Sequence, residues 1–128
     1  ELFKRMVFNI LMDNTDDHER NHSLRLGLDG YYELTPAYDV VPTLLNMGRQ
    51  SMIGGSAGVE SSLEKALTQL REFGIPRARA TELIRQVVRV VDGWQAHFVE
   101  QGVCRGDMEL LQASIDRDAL QAQRRAFA

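Results

Sequence analysis

Leu83, Val87, Val90, Val91, Trp94 and Phe98 fall at offsets 0, 4, 7, 8, 11 and 15, an apolar stripe that only a helix gathers onto one face. Such a face must be buried against another of its kind. The opening of the chain supplies one: Phe3, Val7 and Ile10 share a face that Leu2, Met6 and Leu11 widen, and the helix is expected to end near Met12. Ser61-x-x-Glu64 has the capping-box pattern and predicts a helix through about Phe73, stopped by Gly74. Pro76 starts the long helix and Gly102 ends it. Asp107 is the expected cap of a last helix with Leu111, Ile115 and Leu120 inward, followed by a frayed Arg124-Arg125 tail. Between the first helix and these, Ser23 to Leu28 alternates with Leu24, Leu26 and Leu28 on one side. Asp29-Gly30 then reads as a two-residue hairpin turn before Tyr31 to Leu34. Residues 48–58 hold four glycines and predict a mobile or irregular loop. The reading is mainly α with one small β-hairpin, in a single domain over residues 1–128.

Composition narrows the function classes. At 128 residues, 44% hydrophobic and 26% charged, the chain can bury one core. Its net charge of -3 is uneven: residues 1–60 carry five basic and nine acidic groups, residues 61–128 ten and nine. Neither half has the basic excess of a direct nucleic-acid binder. Cys104 stands alone, which excludes an internal disulfide and fits a reducing compartment. No stretch approaches the roughly 20 apolar residues needed to cross a bilayer, so a cytoplasmic location without a membrane partner is expected. Glu1-Leu2-Phe3 enters helical periodicity without a lead-in, as a piece cut from something longer would.

The chemistry concentrates in Asn14-Thr15-Asp16-Asp17-His18-Glu19-Arg20-Asn21, directly after the first apolar helix. Asp, Asn and Thr favour side-chain to backbone bonds over helix continuation, so the block reads as a loop. A second turn-borne acid follows in Thr35-Pro36-Ala37-Tyr38-Asp39-Val40. Two acids and an Asn on loops suit a magnesium-bound phosphate, because hard cations take carboxylate and carbonyl oxygens and a further carboxylate can orient a hydroxyl. The hairpin between the two segments sets where Asp39 lies relative to Asp16. Blander readings use the same residues. Asp16 and Asn21 also suit Asx turns, Asp39 a structural turn, His18 a loop brace, and Asp16, His18 and His22 a small zinc site. His22 and His97 have no constellation of their own.

Three ordered blocks are similar to a known family: Asn-Thr-Asp-Asp-His-Glu-Arg-Asn, then Leu-Thr-Pro-Ala-Tyr-Asp-Val-Val-Pro-Thr, then Ile53-Gly54-Gly55. Together they resemble the C-terminal lobe of HipA-type toxins, the serine/threonine kinases of bacterial toxin–antitoxin pairs, from about Leu2 to about Leu120. The resemblance implies a helical lobe of a protein-kinase-like fold. It makes Asp16 the catalytic-loop aspartate, Asn21 and Asp39 the magnesium ligands beneath ATP, and Arg20 the cation that meets the γ-phosphate. Asn14, His18 and Tyr38 become loop supports. The Asp-x-x-x-x-Asn spacing of kinase catalytic loops selects Asp16 over Asp17. Two positions depart from the family block: Arg20 stands where Lys is usual, and Asp13, which gets no role, where Gly is common. The resemblance also implies Mg2+ and ATP as cofactors of the intact protein and a protein substrate from the translation machinery. It implies a HipB-like antitoxin as partner, with DNA reached indirectly through it. A kinase further needs a glycine-rich flap and a strand Lys, and neither Lys4 nor Lys65 has that context. Those parts are expected before Glu1, and the fragment alone is expected to be inactive. The alternative is a non-catalytic interaction module, a pseudokinase lobe that binds an antitoxin–DNA complex.

Overall fold

A computed structural model of the chain describes residues 1–44 and 61–128. The glycine-rich loop predicted at residues 48–58 and the Ile53-Gly54-Gly55 block lie outside the described residues. Helix α1 (Leu2–Leu11) buries Phe3, Val7, Ile10 and Leu11, as its apolar spacing requires. It packs mainly on α4 (Arg77–Asp92), whose Ala80, Leu83, Ile84, Val87, Val88 and Val91 complete the centre of the core. Each buried aliphatic side chain contributes about 1.5–3 kcal/mol over its exposed state, and this pair of faces holds ten of the buried hydrophobic residues.

The apolar stripe of residues 83–98 is not one straight helix. Gly93 interrupts it, and α5 (Trp94–Glu100) follows at once. Trp94 is buried and meets Phe98 edge to face at 5.5 Å. Val90, counted in the stripe, is 67% exposed. Leu83, Val87 and Val91 before the break and Trp94 and Phe98 after it still meet one core, so Val90 alone of the stripe leaves the buried face.

The helix predicted from Ser61 starts one residue later. The Ser62 side chain accepts from the Lys65 backbone N–H at 3.2 Å, so Ser62 is the cap of α2 (Leu63–Ala66). A 3₁₀ turn at Leu67–Gln69 separates α2 from α3 (Leu70–Phe73). At its end the Gly74 N–H bonds the Arg71 carbonyl (3.1 Å) and the Ile75 N–H bonds the Leu70 carbonyl (3.2 Å), a Schellman closure with Gly74 left-handed at φ 63°. No atom lies within 4 Å of a Cβ built there, so only the backbone opposes a side chain. Gly74→Ala is therefore expected to cost about 1 kcal/mol, read as a drop in urea midpoint at unchanged m-value.

The expected last helix is two. Helix α6 (Arg105–Ile115) is preceded by Cys104 rather than capped by Asp107, which sits in its first turn. Helix α7 (Asp118–Phe127) takes up the tail expected to fray. Leu120 is fully buried, and the Gln123 side-chain oxygen accepts the Leu63 N–H at 2.8 Å, satisfying a donor at the start of α2.

Strands β1 (Leu24–Leu26) and β2 (Tyr32–Leu34) pair antiparallel, Leu24 opposite Leu34 and Leu26 opposite Tyr32. Their turn differs from the two-residue one expected. The Gly27 N–H bonds the Tyr31 carbonyl (2.8 Å) and the Gly30 N–H the Gly27 carbonyl (3.0 Å), enclosing a three-residue loop, Leu28-Asp29-Gly30. Only Gly30 is left-handed, at φ 82°, whereas a type I′ turn needs Asp29 there as well. The leucine side of the hairpin faces solvent, with Leu24 and Leu26 both exposed. Among the described residues no helix is long and apolar enough to cross a membrane.

Candidate functional site

Helix α1 delivers the first segment through its own termination. Beyond Met12 the Asp13 N–H bonds the Ile10 carbonyl (3.3 Å) and the Asn14 N–H the Asn9 carbonyl (2.9 Å), with Asp13 left-handed at φ 56°. This is the Schellman closure of α3 again, with Asp in the position that glycine fills there. The Asn14 side chain then donates back to the Asn9 side-chain oxygen (3.2 Å) and, at 3.5 Å, to the carbonyl of Asp39. A 3₁₀ turn at Glu19–Asn21 closes the loop, the Asn21 N–H bonding the His18 carbonyl (2.9 Å).

The second segment is stitched to the first at several points. The Tyr38 hydroxyl donates to the Arg20 carbonyl (2.7 Å) and meets the Ser23 hydroxyl (2.6 Å). The Thr43 N–H donates to the Asp13 carbonyl (2.9 Å), and the Thr43 hydroxyl accepts the Thr15 N–H (2.8 Å). Arg5 reaches up from α1 to the Thr35 carbonyl at the hairpin base. Asp39 itself is left-handed at φ 54°, a region that Asp and Asn tolerate better than most residues.

The acids of the site sort into two kinds. Asp13 and Asp17 are buried and paired: Asp13 accepts from the Ser114 hydroxyl and from Arg117 (2.8 Å), and Asp17 meets the His22 ring at 2.8 Å. A buried charge is tolerable only with such partners. Asp16 and Asp39 are exposed, and among the described residues their carboxylates have no partner. Their backbones carry the bonding instead, since the Asp16 carbonyl accepts the Asn21 side-chain amide at 3.1 Å. The Arg20 guanidinium is likewise exposed. Asn21, Tyr38 and Asp39 line one cavity of about 580 Å³ together with Asp17, His22, Phe8 and Val87, whereas Asp16, Arg20, His18 and Asn14 do not. Glu1 and Lys4 sit at the same cavity; the hydrogen bond from Lys4 holds the Glu1 carboxyl below its ordinary range.

The His22 Nε2 holds Asp17, a brace the sequence did not suggest, while the Nδ1 of His18 is buried without a hydrogen-bond partner among the described residues. Among the described residues no three His, Cys, Asp or Glu side chains gather around one point, so Asp16, His18 and His22 do not form the small zinc site.

A family model described as HipA-like C-terminal domain matches residues 1–94. The chain belongs to the HipA-like C-terminal domain family. No curated protein matches it. The match stops short of the span to about Leu120 that the motifs suggest, leaving α6 and α7 outside. Asp13 stands where the resemblance leads one to expect glycine, and its left-handed φ is a conformation that glycine adopts at no steric cost. The backbone requirement was readable from the Gly-to-Asp departure. The partners Ser114 and Arg117 were not, lying 101 and 104 residues away without any local pattern.

Proposed function

We propose that this HipA-like domain is the catalytic lobe of a serine/threonine protein kinase, which transfers the ATP γ-phosphoryl group to a hydroxyl of a protein. What carries the reading is the contrast among the acids: among the described residues the Asp16 and Asp39 carboxylates have no partner though their backbones are bonded, while the Asp13 and Asp17 carboxylates serve the frame.

Asp16 orients the acceptor hydroxyl and takes its proton as the hydroxyl oxygen bonds to the γ-phosphorus and the bond to the ADP oxygen breaks. Asn21, which lines the cavity, commits its amide NH2 to the Asp16 carbonyl and so has its amide oxygen to offer a cation. With Asp39 it offers the hard oxygen pair that suits Mg2+, an ion that uses one or two carboxylates and completes its shell with substrate phosphates and water. Such an ion neutralises the charge that develops on the phosphates. Arg20 keeps a cation beside the loop, as a planar fork rather than a point charge. Asn14, His18 and Tyr38 support the loop in this reading, Asn14 and Tyr38 through the hydrogen bonds given above.

The protein substrate belongs by family resemblance to the translation machinery, and a HipB-like antitoxin is the proposed partner, with DNA reached through it in the cytoplasm. Incubating the full-length protein with γ-labelled ATP and Mg2+ tests the activity. Label in a serine or threonine of protein supports a kinase, and label only in free phosphate supports a phosphohydrolase. The second reading, a non-catalytic interaction module, draws on the hairpin, where Leu24 (63%), Leu26 (62%) and Tyr32 (72%) present apolar surface to solvent. Absence of Mg-ATP binding to the full-length protein would favour it.

A further inference from the structure

We infer that α6 and α7, outside the part of the chain that the family model matches, position the candidate site through a buried clamp of Asp13, Ser114 and Arg117. The inference rests on the kinase reading for its catalytic consequence, though not for its structural one. Asp13 is 1% exposed, and both of its oxygens are used: one accepts from the Ser114 hydroxyl near the end of α6, the other from Arg117 in the link to α7. Its backbone carbonyl accepts the Thr43 N–H, four residues past Asp39, and the Thr43 hydroxyl in turn accepts the Thr15 N–H beside Asp16. One residue therefore joins three segments: the end of the C-terminal helices, the loop that carries Asp16 and Asn21, and the loop that carries Asp39.

The left-handed closure of α1 does not need this carboxylate, because Gly74 and Gly102 close α3 and α5 in the same way without one. The Asp13 side chain is thus available to the clamp, and Arg117 answers it with a guanidinium whose side chain is 21% exposed and whose Nε is buried without a hydrogen-bond partner among the described residues. None of the three touches the cavity, so they are positioning residues. Loosening them lets the Asp16 and Asp39 segments drift apart without removing any group that meets substrate.

Arg117→Met, Arg117→Lys and Ser114→Ala in the full-length protein provide the test, read by amide exchange and by steady-state kinetics. Arg117→Met and Ser114→Ala should speed exchange at the Thr15 and Thr43 amides while Val87 and Val88 in α4 keep wild-type protection. Because misplacing groups by about 1 Å can cost roughly 10²-fold, Arg117→Met should lower kcat by about that factor with KM for ATP changed less than about twofold, and Arg117→Lys should recover part of it. Unchanged exchange at Thr15 and Thr43 overturns the clamp, and so does faster exchange that rises equally in α4, since that is global destabilisation. A wild-type protein without phosphoryl transfer overturns the kinase reading alone, and the exchange data still decide the clamp.

Discussion

Asp16→Asn in the full-length protein is expected to lower phosphoryl transfer by about 10²–10⁴-fold, the range a positioned acid–base group supplies, while Mg-ATP binding survives. The change removes a charge and keeps the shape. Asp16 is exposed and among the described residues its carboxylate has no partner, so the Asn21 amide still finds the Asp16 carbonyl and the loop keeps its frame. Stability should stay within about 0.5 kcal/mol of wild type, as for other surface substitutions. Asp39→Asn should act differently. Asn tolerates the left-handed backbone as Asp does, and Asn14 bonds the Asp39 carbonyl rather than its side chain, so the fold again persists. What is lost is a charged oxygen for the cation, and the variant should need far more Mg2+ for whatever activity remains. Initial rates of label transfer against Mg2+ concentration separate the two: a lower plateau for Asp16→Asn, a right-shifted curve for Asp39→Asn. Wild-type transfer by either variant would remove that residue from the mechanism.

How much of this was legible follows from what each residue reads. The α1 and α4 faces were visible because burial there repeats with the helical period, and period is a local signal. The hairpin was visible from alternation and Asp29-Gly30, yet the turn type was not. Asp-Gly fits a left-handed glycine in two different loops, and the Gly27–Tyr31 closure decides between them. Gly93 looked harmless inside a perfect stripe because apolar spacing says nothing about backbone breaks. At the site, Asp16, Asn21 and Asp39 were picked by spacing and by the family blocks, and the structure brings Asn21 and Asp39 to one cavity. Asp17 and His22 were passed over because their bond, from Asp17 in the loop to His22 just past the 3₁₀ turn, depends on how the loop folds. The side-chain contacts of Asp13 with Ser114 and Arg117 span 101 and 104 residues, a separation at which no pattern in the sequence connects them.

Arg124 was read with Arg125 as a frayed tail for the same reason, and it offers the sharpest test of stability. Its side chain is 7% exposed and answers three acceptors: Asp92 at the end of α4 (2.9 Å), Asp116 after α6 (2.6 Å) and the Ile115 carbonyl (2.8 Å). Two helix ends thus receive one guanidinium where their carbonyl dipoles favour positive charge. The arms are not equal. Asp92 is half exposed, so its share is screened and small. Asp116 is mostly buried, and it also takes the Trp94 indole N–H (3.2 Å) and the Gln95 amide (2.8 Å), which ties α5 into the same knot. Removing one partner of a buried ion pair costs about 3–5 kcal/mol, because the other charge stays desolvated. Trp94 and Gln95 still solvate Asp116, which puts Arg124→Ala near the lower end of that range. Against a total stability of about 5–15 kcal/mol that is a large fraction. The Tm should fall by roughly 10 °C. Arg124→Lys should recover only part, since an ammonium cannot present the fork that reaches Asp116 and the Ile115 carbonyl together. Arg125→Ala, one position on and exposed, should leave Tm nearly unchanged. Calorimetry of the three variants decides it: if Arg124→Ala melts with Arg125→Ala and the wild type, the helix end is frayed in solution and the knot contributes nothing.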